Sequence, residues 1–317
     1  MLVPTDSAAK PRPAALEVKA HPLAVGVVRA VLALFSWVPA RVRSFLAVGV
    51  GRFAFAVGIR RAVTLDNLRH AFPERSEAER RQIARGAYGN MARVIHEALF
   101  ALELSPAQRE RAIQFDNYEV LERALAGGKG VLIATAHFGN WELMGEVMAQ
   151  RGLRLNAVVR PLRGALNAEL MRRRVESGLG LIAPRGAILE TVRRLAKNEV
   201  VSLLVDQSLP SKSALFVPFF GRLAATAPAL SMAALRSGAP VLVAMGVRTA
   251  EGIRVHFEGP FPVSRTGDRE GDLLLHTATI TAVIERVIRA HPDQWLWLHR
   301  RWKRVPPPPK PAAARVP

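Results

Sequence analysis

The chain has 317 residues, half of them hydrophobic, and a mean hydropathy of +0.12, which excludes a disordered chain and is enough to bury a large core. It contains no cysteine, so disulfides, thiolate metal sites and cysteine nucleophiles are all excluded. The formal charge is +19, and only seven of the 45 basic residues are lysine; such an Arg-rich surface suits phosphate-bearing or acidic partners and anionic membranes.

In chain order, residues 1–22 mix Pro, Ala and charge without periodicity and are expected to form a disordered arm. Two apolar runs follow: 23–38, interrupted by Arg29, and 45–59, broken by Arg52 and three glycines. Both are shorter than the roughly 17–25 residues that cross a bilayer. Arginines at 41, 43, 60 and 61 flank them, so residues 23–62 are expected to anchor the chain in or barely through one leaflet, cations toward the anionic surface. A cleaved leader is a rival reading, but the first run ends SWVPARVR with no small-x-small site; a buried helical hairpin is another.

Residues 63–304 are expected to form one α/β domain. Helical spacing runs over 76–104, opened by Ser76 with Glu79 three residues on, a capping-box signature. His96 lies among Val94, Ile95, Ala98 and Leu99 and is expected to be a packed, hydrogen-bonded core residue. Beyond Asp116, short apolar runs alternate with amphipathic segments. Strands are expected at 131–136, 155–159, 180–182, 200–205 and 240–247, and helices at 141–150, 165–177, 187–198 and 227–238, with a loop after the fourth strand. That alternation predicts a mainly parallel central sheet flanked by helices on both faces.

In an open α/β sheet, ligands sit beyond the carboxyl ends of the strands. His137, Arg160, Asp206 and Arg248 are the residues just past the predicted strands, although strands also end in charge simply because chains surface there, which is the favoured reading for Arg248. The stretch HFGNWE places His137 in a strand-to-helix turn, with Gly139 and Asn140 bending the chain and Glu142 in the first turn of the next helix. A carboxylate folded back onto the imidazole would fix one ring nitrogen as donor and leave the other as a general base. A zinc site of the HExxH kind needs a second histidine, and no GxSxG is present, so direct base catalysis without metal, cofactor or covalent intermediate is expected. Oxyanion donors would come from the N–H groups opening that helix, or from an arginine.

These residues resemble a known family. HFGNWE fits the HX4D/E motif of the lysophospholipid acyltransferase superfamily, and NLRHAFPE (67–74), LMRRRVESG (170–178), LLVDQS (203–208), FVPFFGRLAATAP (216–228) and PDQWLWLHRRWK (292–303) resemble its bacterial lipid A biosynthesis branch, the late lauroyl and myristoyl transferases. The likeness spans about residues 25–305. It implies a glycerolipid acyltransferase-like fold and an inner-membrane enzyme with its active site at the cytoplasmic face. Such an enzyme moves a fatty acyl group from acyl-carrier protein, or acyl-CoA, to a hydroxyl of a phosphorylated glycolipid, a lipid A precursor. By motif it makes His137 the general base and Glu142 its partner, and Arg174 and Asp206 match positions such enzymes use at or near the site; Asn140 in the turn and Arg160 past its strand are further expected substrate-binding or positioning residues. After DQ the chain continues SLPSKS where the family often has another acid, which leaves Asp206 a positioning or hydrogen-bonding role.

Two alternatives stand beside this reading. A neighbouring branch sharing the GNW core acylates phosphatidylinositol mannosides. From a different class, the chain could be a non-catalytic basic protein that coats membranes or binds nucleic acid; its arginines are spread over all segments, only 6% of residues are aromatic, and no nucleic-acid motif is present, so no nucleic-acid partner is expected. Trp295, Trp297 and Trp302 are expected either to form an interfacial cluster or to pack the last element onto the domain. HRRWKR (299–304) is expected to be either a phosphate contact or a solvated basic end, and 305–317 a Pro-rich tail.

Overall fold

The computed structural model describes residue 16 and residues 18–210 and 213–306; most of the expected arm, and the tail from 307 on, lie outside the described residues. The apolar runs fold as α1 (Pro22–Ser36) and α2 (Ala40–Ala56), with α3 (Arg61–Ala71) after a turn. At 1.5 Å per residue α1 is roughly 22 Å long, short of the ~30 Å hydrocarbon layer. Among the described residues no single helix is long and apolar enough to cross a membrane, and α2 and α3 are bent by 88° to each other.

A buried hairpin is ruled out for α1, which buries no residue at all. Leu23, Val27, Leu34 and Trp37 stand exposed on it, and Phe45, Val50 and Phe53 on α2. The opposite face of α2 packs on α4 (Glu77–Phe100). There a Cβ on Gly51 would stand 2.2 Å from the Tyr88 carbonyl oxygen, so the two backbones touch where only glycine fits. Arg29, the interruption in the first run, pairs at 3.1 Å with the buried Glu169 of α8 (Ala165–Glu176) and so ties α1 to the domain.

The capping box of α4 forms as expected: Ser76 Oγ accepts from Glu79 N at 3.2 Å and Glu79 Oε2 from Ser76 N at 2.7 Å. His96 packs on Phe100 with ring centroids 5.1 Å apart, but neither ring nitrogen has a hydrogen-bond partner, contrary to expectation. Burial in that apolar setting lowers its pKa, and a neutral ring tolerates the isolation.

The central sheet has seven strands: β1 (Ile113–Phe115), β2 (Val131–Thr135), β3 (Leu155–Val158), β4 (Gly180–Ile182), β5 (Val200–Leu204), β8 (Val241–Arg248) and β9 (Ile253–Glu258), in the order β1-β9-β8-β2-β5-β3-β4. All pairings are parallel except β8–β9, as the alternating pattern predicted. Both faces are covered. Leu132, Ala134, Val201 and Val241 point into one core with α9 (Ala187–Leu195), α10 (Ala229–Ser237) and α11 (Arg269–Ala290), while Val131, Ile133, Val200 and Leu242 point into the other with α7 (Trp141–Gln150).

The segment expected to be a loop after β5 contains a second, two-stranded sheet, β6 (Leu215–Phe219) paired antiparallel with β7 (Arg222–Thr226). Phe220 and Gly221 both have positive φ, +52° and +73°, which matches a two-residue hairpin turn of the type that follows strand twist. The interfacial reading of the tryptophans gives way to packing: Trp295 and Trp297 are buried against each other at 4.5 Å, and Trp302 stacks on Phe219. Within HRRWKR, Arg301 is fully buried, donating to the Ala225 carbonyl (2.7 Å) and Thr226 Oγ1 (2.6 Å), so this part of the segment is not solvated.

Candidate active site

His137 lies two residues beyond β2, a strand buried along its whole length. The chain then turns back through Gly139 at φ +58°, where a Cβ would stand 1.7 Å from the Gly246 carbonyl oxygen on β8; no other residue fits. Asn140 is fully buried and N-caps α7, its Oδ1 accepting from Leu143 N at 2.9 Å while its Nδ2 donates to Glu97 Oε2 at 2.5 Å. It therefore positions the turn and is shut off from any ligand. Residues 294–296 clasp the same turn: Gly139 N donates to the Gln294 carbonyl and Leu296 N to the His137 carbonyl, both at 3.0 Å.

The carboxylate that holds the imidazole is Asp206, two residues past β5. Its Oδ1 lies 2.9 Å from His137 Nδ1, and its Oδ2 accepts from His137 backbone N–H at 3.0 Å and from Trp295 Nε1 at 2.8 Å. Burial works to raise the Asp206 pKa, but the charge of His137 and these three hydrogen bonds outweigh it and hold the group at about 2. An ionised carboxylate only accepts, so Nδ1 carries a proton, and in the neutral ring Nε2 is the nitrogen with the lone pair. The His137 side chain is 23% exposed, the Asp206 side chain 2%, so the pair opens to one side through the imidazole. The Gln207 amide nitrogen lies 3.3 Å from Nε2 and 3.4 Å from Nδ1, over the ring, and the Trp141 ring meets the imidazole edge-on at 5.2 Å.

The expected Glu142–imidazole contact is corrected by this geometry. Glu142 opens α7 as expected, but its carboxylate turns to Arg174 of α8, with Arg174 Nε donating to Oε2 at 2.9 Å and a second contact between Arg174 Nη2 and Oε1. Trp141 Nε1 also donates to Oε1, at 3.0 Å. A guanidinium and an indole satisfy this carboxylate at the wall of the site. The neighbouring arginines go elsewhere: Arg172 and Arg173 both bind Glu169. One helical turn beyond Glu142, the buried Glu146 is pushed up to about 8, by desolvation first and by the Glu142 charge second.

Of the other residues just past strands, Arg248 is structural: its Nη1 and Nη2 donate to Glu97 at 3.1 and 2.5 Å, beneath the Asn140 cap. Arg160 is exposed and makes no ion pair or hydrogen bond among the described residues. Sequence reasoning missed Gln294, Glu97, Asn90, Gln207 and the Asp206 contact of Trp295. Asn90 Nδ2 donates to the carbonyls of Gly139 (3.1 Å) and Gln294 (3.2 Å), and Gln294 exchanges two hydrogen bonds with the Arg248 backbone. Only the polar pair in PDQW, set among large apolar residues, hinted at such a clasp.

A family model described as bacterial lipid A biosynthesis acyltransferase matches residues 20–304. The chain is 28% identical over 282 residues to a lipid A biosynthesis palmitoleoyltransferase of Escherichia coli (strain K12), covering 86% of this chain and 89% of that one. It is 28% identical over 271 residues to the lipid A biosynthesis lauroyltransferase of the same organism, covering 82% and 85%. A phosphatidylinositol mannoside acyltransferase of Mycobacterium tuberculosis (strain CDC 1551 / Oshkosh) is 27% identical over 191 residues, 57% of each chain.

Proposed function

Because this chain belongs to the bacterial lipid A biosynthesis acyltransferase family and is an O-acyltransferase, we propose that His137 is its general base for acyl transfer from a thioester to a lipid A precursor hydroxyl. The observation that carries this is the His137–Asp206 pair, with Nδ1 held by the carboxylate and Nε2 turned away from it at the carboxyl edge of a parallel sheet. In the reaction the acceptor hydroxyl approaches the in-plane lone pair of Nε2. As its oxygen bonds to the thioester carbonyl carbon, its proton passes to Nε2. The tetrahedral centre then expels sulfur, the C–S bond breaks, and the imidazolium returns the proton to the thiolate. No covalent enzyme intermediate is needed. An alcohol is too weak an acid to ionise in advance, so a positioned base contributes about 10²–10⁴-fold. The Trp141 and Glu142 N–H groups that open α7, ahead of the Leu143 N–H taken by the Asn140 cap, are the donors for the carbonyl oxygen.

Asp206 fixes the tautomer, and Glu142, Arg174 and Trp141 form the wall beside it. The donor is acyl-carrier protein, whose acidic surface suits a +19 chain. Residues 23–62 anchor the chain at the cytoplasmic face of the inner membrane, and residues 63–304 carry the chemistry. The apolar side chains exposed on α1 and α2 support that anchoring, since they have no protein cover among the described residues. Mass spectrometry of lipid A from cells with and without the protein, and with His137→Ala, tests the reading. One acyl unit is expected to disappear in the deletion and in the variant. Unchanged lipid A, with an under-acylated mannoside glycolipid instead, would move the activity to that acceptor.

A further inference from the structure

A cavity of about 390 Å³ opens beside the site, lined by Arg60, Arg300, Lys303 and Arg304 together with Ser208 and His299. None of these four cations has a carboxylate partner among the described residues, although the arginines around the His137 site, Arg174 and Arg248, are both paired. Like charges packed round one hollow repel one another, so the arrangement is favourable only with an anion inside.

The remaining lining groups point the same way. Arg60 holds a left-handed backbone, φ +52°, and its Nε donates to the Leu298 carbonyl at 2.7 Å, which leaves both terminal guanidinium nitrogens to the cavity. His299 Nε2 accepts from Ser208 N at 3.0 Å, so its Nδ1 carries the remaining N–H; burial lowers its pKa and keeps it neutral. Ser208 Oγ is buried with no partner. The lining is thus rich in donors and free of acidic side chains. A single carboxylate offers too few acceptors for it, whereas a phosphate offers three oxygens to forked guanidinium donors.

Two placements say what bears the phosphate. Ser208 follows Asp206 by two residues, so the cavity adjoins the proposed base. Next to Arg60, Val57 and Ile59 are each 55% exposed and continue the bare apolar face of α2. A ligand filling both has a phosphate head and an apolar body. We infer that this pocket binds a phosphate group of the amphiphilic acyl acceptor and sets which hydroxyl reaches His137. The inference rests on the acyl-transfer reading above.

The test is the full chain carrying Arg300→Gln and Lys303→Gln, with Arg123→Gln and Lys129→Gln as a control that removes equal charge near the amino end of β2, at the opposite sheet edge. The pocket variant is expected to raise KM for the intact acceptor at least tenfold without moving KM for the thioester. Phosphatase-treated acceptor should cost wild type a similar factor and the variant nothing further. A rise in the thioester KM instead would hand the phosphate to the donor's carrier arm and overturn the assignment. Equal effects in the control, or none in the pocket variant, would overturn it as well. A second arm measures equilibrium binding to neutral-detergent micelles holding phosphatidic acid or diacylglycerol, and needs no turnover. Preference for phosphatidic acid should vanish in the pocket variant alone. If that preference depends on these residues but wild type acylates no glycolipid, the acceptor assignment fails with the acyl-transfer reading while the anion site stands.

Discussion

Replacing Asp206 by Asn separates the roles of the two carboxylates near His137. Three N–H groups converge on Asp206: His137 Nδ1 at 2.9 Å on one oxygen, His137 backbone N and Trp295 Nε1 at 3.0 and 2.8 Å on the other. An amide has a single acceptor oxygen. Placed toward the two fixed donors, it satisfies both and turns its NH2 to His137 Nδ1. Placed the other way, it sets NH2 against two N–H groups and strands both, at about 1–3 kcal/mol each. The first arrangement wins, and it makes Nδ1 an acceptor and Nε2 the protonated nitrogen. The base is lost. Single-turnover transfer of a labelled acyl chain should therefore slow by about 10²–10⁴-fold in Asp206→Asn, with the ring tautomer read independently by 15N NMR. The pairing also has a stability signature. A carboxyl held at about 2, below the 3.8 of an ordinary aspartate, contributes ~2 kcal/mol above pH 4, lost as pH falls from about 4 to 2. Denaturant midpoints should show that acid-side loss in wild type and not in the variant. Transfer within threefold of wild type, or a tautomer switch in Glu142→Gln instead, would refute the assignment.

Other consequences are equally direct. Gly139→Ala forces a Cβ onto the Gly246 carbonyl at φ +58°, so thermal unfolding should shift down by about 5–10 °C or the chain should fail to fold. Glu146, held at about 8, keeps its proton in the folded state where the unfolded chain releases it, so wild-type stability falls as pH rises from about 4.5 to 8 and is flat beyond. Glu146→Gln should abolish that slope, matching wild type near pH 5 and exceeding it by up to ~4 kcal/mol near pH 8 in denaturant titrations. Phe45→Glu with Phe53→Glu removes two rings that are 77% and 67% exposed; at about 1.5–3 kcal/mol each, flotation with liposomes should drop more than tenfold while the melting temperature barely moves.

The parallel sheet was legible because its strands are short, apolar and separated by amphipathic helices, and 131–136 or 200–205 carry that pattern with little interference. The β6–β7 hairpin escaped because Pro218 and the paired phenylalanines obscure alternation, and the turn relies on Phe220, an unusual residue for positive φ. At the site, His137 and its turn could be read from HFGNWE, since strand end, glycine and cap are all local. The identity of its partner could not. Glu142 is five residues away along the chain, but the helix that starts at Trp141 carries its carboxylate to Arg174. Asp206 is 69 residues away, and it reaches the imidazole because β5 lies beside β2 in matched register, Thr135 opposite Leu204. Strand order of that kind is a product of the whole core and leaves no spacing to measure. Trp295 and Gln294 come from further still, and their polar atoms are used from inside a cluster that composition describes only as apolar.

The tie between Arg29 and Glu169 couples two things that are usually separable. Glu169 also binds Arg172 and Arg173, and the next residue, Arg174, holds Glu142. The leash that would moor the chain to its bilayer is thus fastened to the helix that braces the proposed catalytic corner. Lifting α1 away would leave Glu169 short of one cation and slacken the helix that carries Arg174. A fragment lacking the first helix would then be crippled even when its substrates are delivered in solution, because location and competence share one joint.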